Sequence, residues 1–213
     1  MSKTATESAP PVPYLLPYLK AAERHGAGFP SLLWASPQTQ AARFDAIERL
    51  GRLHGKSVLD VGCGRADLLD FLLDRGVRPA DYVGIEAVED LARAAEARRR
   101  ATHVRILRAD FVREPLRLFV AADVVVFSGS LNTIEDDAFY TTVRRAFEAC
   151  AETLVFNFLC NPYLAGADYL RWRRPNDVTA FASRLSPDVR TLDDYLHGDF
   201  TVAVHKTDAP HPS

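Results

Sequence analysis

Acidic and glycine residues recur along the middle of the chain, each at the end of a short apolar run. Asp60 lies in the first run, and Gly62 and Gly64 follow it before a pattern typical of a helix start. Glu86 and Asp110 end two later runs in the same way. Glycines let a backbone approach a ligand without an intervening Cβ, and a helix N-terminus offers unpaired amide donors. The pattern predicts a small-molecule binding loop surrounded by carboxylates.

The glycine loop departs from a dinucleotide fingerprint. The pattern G-x-G-x-x-G, counted from Gly62, would need a glycine where Asp67 stands, and a carboxylate there would oppose a pyrophosphate. Asp60 suits a ligand with positive charge. S-adenosylmethionine is such a ligand, because it carries an ammonium and a sulfonium beside one carboxylate that loop amides can hold. An NAD(P)-linked oxidoreductase and an ordinary strand–turn–helix connection stay open as alternatives.

The order of the elements predicts which group of this cofactor each later carboxylate binds. Glu86 comes one helix and one strand after Gly64, which places it beside the loop, where it can accept both ribose hydroxyls. Asp110 can take the adenine amino group, while Phe111 or Val88 packs on the ring. Each acid also has a structural alternative: Glu86 as a solvated residue at a helix start and Asp110 as a helix cap or loop acid.

Strand and helix patterns alternate through the core of the chain. Five apolar strand patterns span residues 58–61, 82–86, 104–107, 123–127 and 153–158. The alternation predicts a parallel sheet with right-handed crossovers, which binds ligands at the carboxyl ends of its strands. Two further strand patterns, 188–192 and 200–205, are too close for a crossover helix and predict an antiparallel edge.

Composition predicts one globular domain. The chain has 213 residues, 47% of them hydrophobic, with a net charge of −2 that disfavours nucleic acid as a partner. No apolar run approaches the roughly 20 residues of a membrane span, and three cysteines without metal-ligand spacing fit a reducing, cytoplasmic location. We expect no metal. The predicted divisions are a flexible leader (1–13), an N-terminal helical cap (14–54), a cofactor-binding core (55–206) and a flexible tail (207–213).

Taken together, these motifs resemble the class I S-adenosylmethionine-dependent methyltransferases over about residues 34 to 206. The resemblance is greatest to a bacterial subgroup, mostly of unassigned substrate. The further segments that carry it are Trp34-Ala35-Ser36, Arg43-Phe44, Ser128 to Asn132, Phe156 to Leu159, Asp194-Tyr195-Leu196 and Asp199 to Val202. The chain departs at Ala66, where the family usually has a third glycine, and we expect alanine to be tolerated there as the smallest replacement.

The resemblance implies a Rossmann-like three-layer α/β fold, a mostly parallel seven-stranded sheet with an antiparallel last strand. It implies methyl transfer to an oxygen or nitrogen of a small molecule, with S-adenosylhomocysteine as the product. The residues predicted to bind the cofactor, with Arg43 a candidate for its methionine carboxylate, are Arg43, Asp60, Gly62, Cys63, Gly64, Glu86, Ala87, Asp110, Phe111 and Ser128. Those predicted to line the acceptor are Trp34, Ser36, Gln38, Ser130, Asn132, Tyr163 and Tyr169.

We assign no catalytic residue from the sequence. A sulfonium methyl is already activated, so in-line positioning of the acceptor can supply most of the rate. None of the six histidines falls in a motif-defined pocket position, and we expect single histidine substitutions to leave transfer largely intact. The run Arg171-Trp172-Arg173-Arg174 either attracts an anionic small molecule, lines a protein contact or forms a solvated helix face. A non-catalytic S-adenosylmethionine-binding protein is a further alternative.

Overall fold

A computed structural model describes residues 12–98 and 103–207. Most of the predicted leader and tail, residues 1–11 and 208–213, lies outside this part. Its strands are β1 (Ser57–Val61), β2 (Asp81–Glu86), β3 (Val104–Arg108), β4 (Val124–Phe127), β5 (Thr153–Leu159), β6 (Val189–Leu192) and β7 (Asp199–His205). Its α-helices are α1 (Leu16–His25), α2 (Pro37–Gly51), α3 (Asp67–Asp74), α4 (Glu89–Ala97), α5 (Asp136–Ala149) and α6 (Pro175–Leu185).

The described strands form one seven-stranded sheet in the order β3-β2-β1-β4-β5-β7-β6. All neighbouring strands are parallel except that β7 runs antiparallel to both β5 and β6. The order in which strands are added to the sheet changes side between β1 and β4. Strands β2 and β3 lie on one side of β1, and β4 and the later strands lie on the other. This sheet confirms the predicted fold class, including the reversed last strand.

Side chains of the sheet alternate between two helical layers, as the period of a strand requires. Val58 of β1 belongs to an apolar cluster that includes Phe44 of α2. Its neighbour Leu59 belongs to a second cluster that includes Phe139 of α5 and Val178 of α6. The result is three layers, with α2 and α3 on one face of the sheet and α5 and α6 on the other.

Two helical segments precede the sheet. Helix α1 contributes Ala22 to a small cluster with Val88 and Leu91 at the start of α4. Helix α2 begins with a capping box in which Ser36 and Thr39 bond each other's backbone amides, and it packs on β5 and β7. The segment before the sheet therefore covers the edge at which the strands end. Within residues 12–98 and 103–207, no helix is long and apolar enough to cross a bilayer.

Candidate functional site

The loop after β1 needs glycine at two positions. Gly62 and Gly64 both have positive φ, +74° and +57°. A Cβ on Gly62 would overlap the Cβ of Ser130, and a Cβ on Gly64 would lie 2.7 Å from Leu32 Cδ2. Both substitutions would therefore add steric overlap to a backbone conformation that only glycine adopts at low cost.

Most amides of this loop are already bonded inside the protein. The N–H groups of Gly62 and Cys63 donate to the carbonyl oxygen of Ile85, at 2.8 and 3.0 Å. The N–H of Gly64 donates to the Glu86 carboxylate. The expectation that these amides hold a ligand carboxylate does not agree with this arrangement. Instead, the bonds tie the loop to the end of β2.

Glu86 is held in place by backbone donors on both of its oxygens. Oε2 accepts from Gly64 N–H at 2.9 Å, and Oε1 accepts from Val88 N–H at 2.8 Å. Each oxygen keeps a second lone pair, so the carboxylate can still accept two further hydrogen bonds. Burial raises the pKa of Glu86 to about 7, against the lowering effect of these backbone bonds.

Asp60 is the second buried carboxylate of the site. Its side chain is 3% exposed and accepts a hydrogen bond from the hydroxyl of Tyr82 on the neighbouring strand. Burial raises the pKa of Asp60 to about 7, although the Tyr82 bond opposes the rise. Among the described residues no lysine, arginine or histidine forms an ion pair with Asp60 or Glu86. The site therefore holds two carboxylates whose charge lacks a protein partner.

A cavity of about 310 Å³ opens beside the loop, at the carboxyl ends of β1, β2, β4 and β5. Predicted residues that line it are Trp34, Arg43, Asp60, Gly62, Cys63, Gly64, Glu86, Ala87, Phe111, Ser128, Ser130 and Asn132. The structure thus brings together residues from six separate segments of the chain. Their individual roles toward a ligand stay predictions.

Five predicted residues do not line this cavity. Ser36 caps α2, Gln38 faces solvent on the same helix, and Tyr163 has 91% of its surface exposed. Tyr169 is partly buried outside the lining. Asp110 accepts bonds from the amides of the turn that follows it, at 3.0 and 3.3 Å, as a loop acid does.

Asp110 also accepts the hydroxyl of Tyr14, which is 2.7 and 2.9 Å from its two oxygens. Tyr14 does line the cavity, and so does Tyr18 of α1. Burial and the nearby Glu86 raise the pKa of the Tyr18 phenol well above its usual range. Sequence reasoning missed both tyrosines, because the segment that carries them has no motif. Tyr18 packs on Val88 and Leu91, and Tyr14 packs on a different apolar cluster that includes Phe111.

Arg43 lines the cavity but its charge has a partner. Its Nε donates to Asp199 Oδ2 at 2.7 Å and Nη2 bonds the same oxygen, while its guanidinium carbon lies 4.9 Å from the centroid of the Trp34 ring. Asp199, only 1% exposed, also accepts from the Tyr195 hydroxyl at 3.2 Å. Sequence reasoning did not assign Asp199 to the site, although the family resemblance includes its segment.

One expectation about the lining needs correction. The carboxylate of Asp67 is expected to oppose a pyrophosphate, and Asp67 does line the cavity. However, Arg65 and Arg98 both form ion pairs with it. Its charge is therefore largely offset, and it weighs less against a dinucleotide than expected. His197 lines the cavity as well, at a position that no motif indicates. Among the described residues no cluster of three or more potential metal ligands occurs.

Comparison with known proteins agrees with the fold. Residues 58–153 match the model of a family described as "Methyltransferase domain". The fold of the chain is that of the class I S-adenosylmethionine-dependent methyltransferases. This confirms the resemblance at the level of the class, while the bacterial subgroup stays a prediction. A search of curated proteins finds no significant match.

Solved structures share the fold at low sequence identity. Magnesium protoporphyrin IX methyltransferase from Synechocystis PCC 6803, solved with bound S-adenosylmethionine, has a TM-score of 0.67 at 11% identity, covering 95% of this chain and 100% of that one. The CcbJ methyltransferase from Streptomyces caelestis has a TM-score of 0.63 at 16% identity, with 90% and 98% coverage. An S-adenosylmethionine-dependent methyltransferase from Archaeoglobus fulgidus has a TM-score of 0.63 at 15% identity, with 80% and 95% coverage.

Proposed function

We propose that this protein is an S-adenosylmethionine-dependent methyltransferase that methylates an oxygen or nitrogen atom of a small molecule by in-line displacement. The observation that carries the proposal is the pair of buried carboxylates, Asp60 and Glu86, which line the cavity without a basic partner among the described residues. Two uncompensated carboxylates favour a ligand that carries positive charge.

The residues present fit this cofactor. Glu86 has free lone pairs for the two ribose hydroxyls, and Asp60 supplies negative charge for the ammonium group. Phe111, Ala87 and Val88 give apolar surface for the adenine ring. Arg43 is the predicted partner of the methionine carboxylate. Its charge is already paired with Asp199, so it would donate through Nη1, which makes no hydrogen bond within the described part of the chain.

The protein's contribution is positioning and the exclusion of water. When bound, the cofactor supplies a methyl group already activated by its sulfonium, so no protein nucleophile is needed. The loop is tied to β2 and the carboxylate of Glu86 is fixed by two amides, so the groups that bind are held before the ligand arrives. The acceptor lone pair then needs only the correct direction of approach.

Calorimetric titration tests the proposal. We expect S-adenosylmethionine and S-adenosylhomocysteine to bind with micromolar dissociation constants, and NAD and NADP not to bind. Glu86→Gln should weaken binding by roughly 10- to 100-fold, because one hydrogen bond to a charged group is worth about 1.5–3 kcal/mol. Glu89→Gln is the matched control, since Glu89 stands three residues later, outside the cavity lining.

Two results would contradict the proposal: tighter binding of NAD or NADP than of S-adenosylhomocysteine, or equal losses in Glu86→Gln and Glu89→Gln. An enzyme is separated from a non-catalytic binding protein by incubating the protein with S-adenosylmethionine and a library of small acceptors. Mass spectrometry should then detect an acceptor that gains 14 mass units, about the mass of CH₂. Cofactor binding without any such product would support the binding protein.

A further inference from the structure

Residues from several segments that carry the resemblance meet on one side of the cavity. Trp34 and Arg43 come from the segment before β1, and Tyr195 and Asp199 come from the end of the chain. Arg43 bonds Asp199 and lies over Trp34, and Tyr195 bonds both Asp199 and Thr201 Oγ1, the latter at 2.7 Å. We call this group the Arg43–Asp199 cluster.

The cluster contributes no net charge. Arg43 and Asp199 are both nearly buried, with 11% and 1% of their side chains exposed, and they pair directly with each other. The opposite charges of a guanidinium and a carboxylate in contact largely cancel each other's electric field at the distance of a bound molecule. This side of the cavity differs in that respect from the side at β1 and β2, where Asp60 and Glu86 have no basic partner.

His197 lies at the rim of the cavity. Asn161 Oδ1 accepts from Tyr163 N–H at 2.9 Å, which fixes the orientation of the amide and turns Nδ2 toward His197 Nε2, 3.2 Å away. This contact joins the loop after β5 to the segment before β7.

The wall beside the cluster is rich in leucines, although Asn132 and Thr133 also line the cavity near Leu159. Four leucines line the cavity here, from the end of β5 to the segment before β7: Leu159, Leu164, Leu170 and Leu196. Leu164 packs so closely on Gly198 that a Cβ at that glycine would overlap it. The two loops that carry these leucines are therefore in contact, and together they form an apolar wall.

The arginine run is not available to bind an anion in the cavity. Arg171 pairs with Glu135 at 2.6 Å, and Arg173 lies 3.0 Å from Asp136 with only 3% of its surface exposed. Arg173 also lies over the ring of Phe139, 3.8 Å from its centroid. The expectation of a solvated helix face is therefore wrong for Arg173. None of the three arginines in the run lines the cavity.

We infer that the methyl acceptor is an uncharged molecule with an apolar body, bound between the leucine wall and the Arg43–Asp199 cluster. This rests on the proposed function, because it names the substrate class of the same cavity. A charged acceptor would lose its hydration beside leucines and a neutral ion pair, with no opposite charge to replace it. An uncharged acceptor loses little hydration free energy, and the burial of its apolar surface favours binding.

A matched series of probes tests the inference by calorimetry. The probes are 2-naphthol, 2-naphthoate and 2-naphthylmethylammonium, which share one ring system and differ in charge. With the protein saturated by S-adenosylhomocysteine, we expect 2-naphthol to bind at least tenfold tighter than either ion. Tightest binding by the anion or the cation, or binding by none of the three at millimolar concentration, would overturn the inference.

Two leucine variants show whether the probes bind in this cavity. Leu164→Lys places a positive charge on the leucine wall, and we expect it to raise the affinity for 2-naphthoate about fivefold. Leu116→Lys is the control, because Leu116 also lies in a short 3₁₀ helix after a proline and is 82% exposed, but is absent from the lining. An equal effect of both variants would refute binding at this wall.

The titration with S-adenosylhomocysteine alone tests the proposed function separately from the substrate class. If that ligand fails to bind, the proposed function fails, and the probe series is then run on the protein without it. A preference for 2-naphthol in that case would still identify an uncharged, apolar ligand for the cavity. If S-adenosylhomocysteine binds and the anion is preferred, the proposed function stands and only the substrate class is wrong.

Discussion

The buried carboxylate of Asp60 should make the protein without ligand less stable as pH rises. Burial raises its pKa in the folded protein from 3.8 to about 7. The folded state therefore holds the proton more tightly than the unfolded chain does. Stability is greatest below the unfolded pKa and is lost as pH rises from about 4 to about 7.

The size of this effect follows from the two pKa values. Each pKa unit corresponds to about 1.4 kcal/mol, so the rise from 3.8 to about 7 is a cost of about 4 kcal/mol to the folded protein at neutral pH. Asp60→Asn removes the charge and keeps an oxygen for the Tyr82 hydroxyl. Relative to wild type, we expect the variant to gain about 3 kcal/mol in unfolding free energy between pH 4 and pH 7, and little more above that.

Urea unfolding of both proteins at pH 4, 5, 6, 7 and 8 measures the difference. Asp123→Asn is a control of opposite sign, because bonds from the amide and hydroxyl of Ser57 lower the pKa of Asp123. Its loss of stability should be nearly constant from pH 8 to pH 5 and should shrink only below the unfolded pKa of about 4, as pH falls through the folded pKa. A constant difference between wild type and Asp60→Asn across the series would refute the assignment of an uncompensated buried charge.

Three further substitutions have defined outcomes in urea unfolding. Ala66 has φ +59°. Glycine at this position would relieve strain of about 1–2 kcal/mol, but it would lose more backbone entropy on folding and would remove a buried methyl group. Ala66→Gly should therefore change the free energy of unfolding by under about 1 kcal/mol. Gly84→Ala should lower the free energy of unfolding by about 1–3 kcal/mol, because the new Cβ would lie 2.6 Å from Cys63 Sγ. The double variant with Cys63→Ala should recover part of that loss. Tyr14→Phe should cost about 1–2 kcal/mol through its bond to Asp110; no loss would contradict that.

The part of the site built from local signals could be predicted from the sequence. Asp60 and Glu86 lie at the carboxyl ends of β1 and β2, and the two loop glycines come just after β1. Parallel strands bring their carboxyl ends to one edge of the sheet. The direction of the last strand was predictable for a similar reason, because the connection from β6 to β7 is too short for a crossover helix.

Contacts between distant parts of the chain were not predictable. Arg43 and Asp199 are 156 residues apart, and neither residue type nor spacing indicates that they pair. Arg173 stands in a run of charges, which usually indicates solvent, yet Asp136 and the ring of Phe139 bury it. Helix α6 also went unpredicted, although its buried residues Val178, Phe181 and Ala182 have helical spacing.

The two sides of the cavity differ in how they are built, and this difference has a consequence for evolution. The side at β1 and β2 depends on backbone geometry: positive-φ glycines and amides that hold a carboxylate. The opposite side depends on side chains such as Leu164 and Leu196, carried by connecting loops. On the proposal that the acceptor binds against these leucines, substitutions in those loops would change which molecule is accepted while the cofactor side stays intact, so new acceptor preferences would arise by point mutation on one framework.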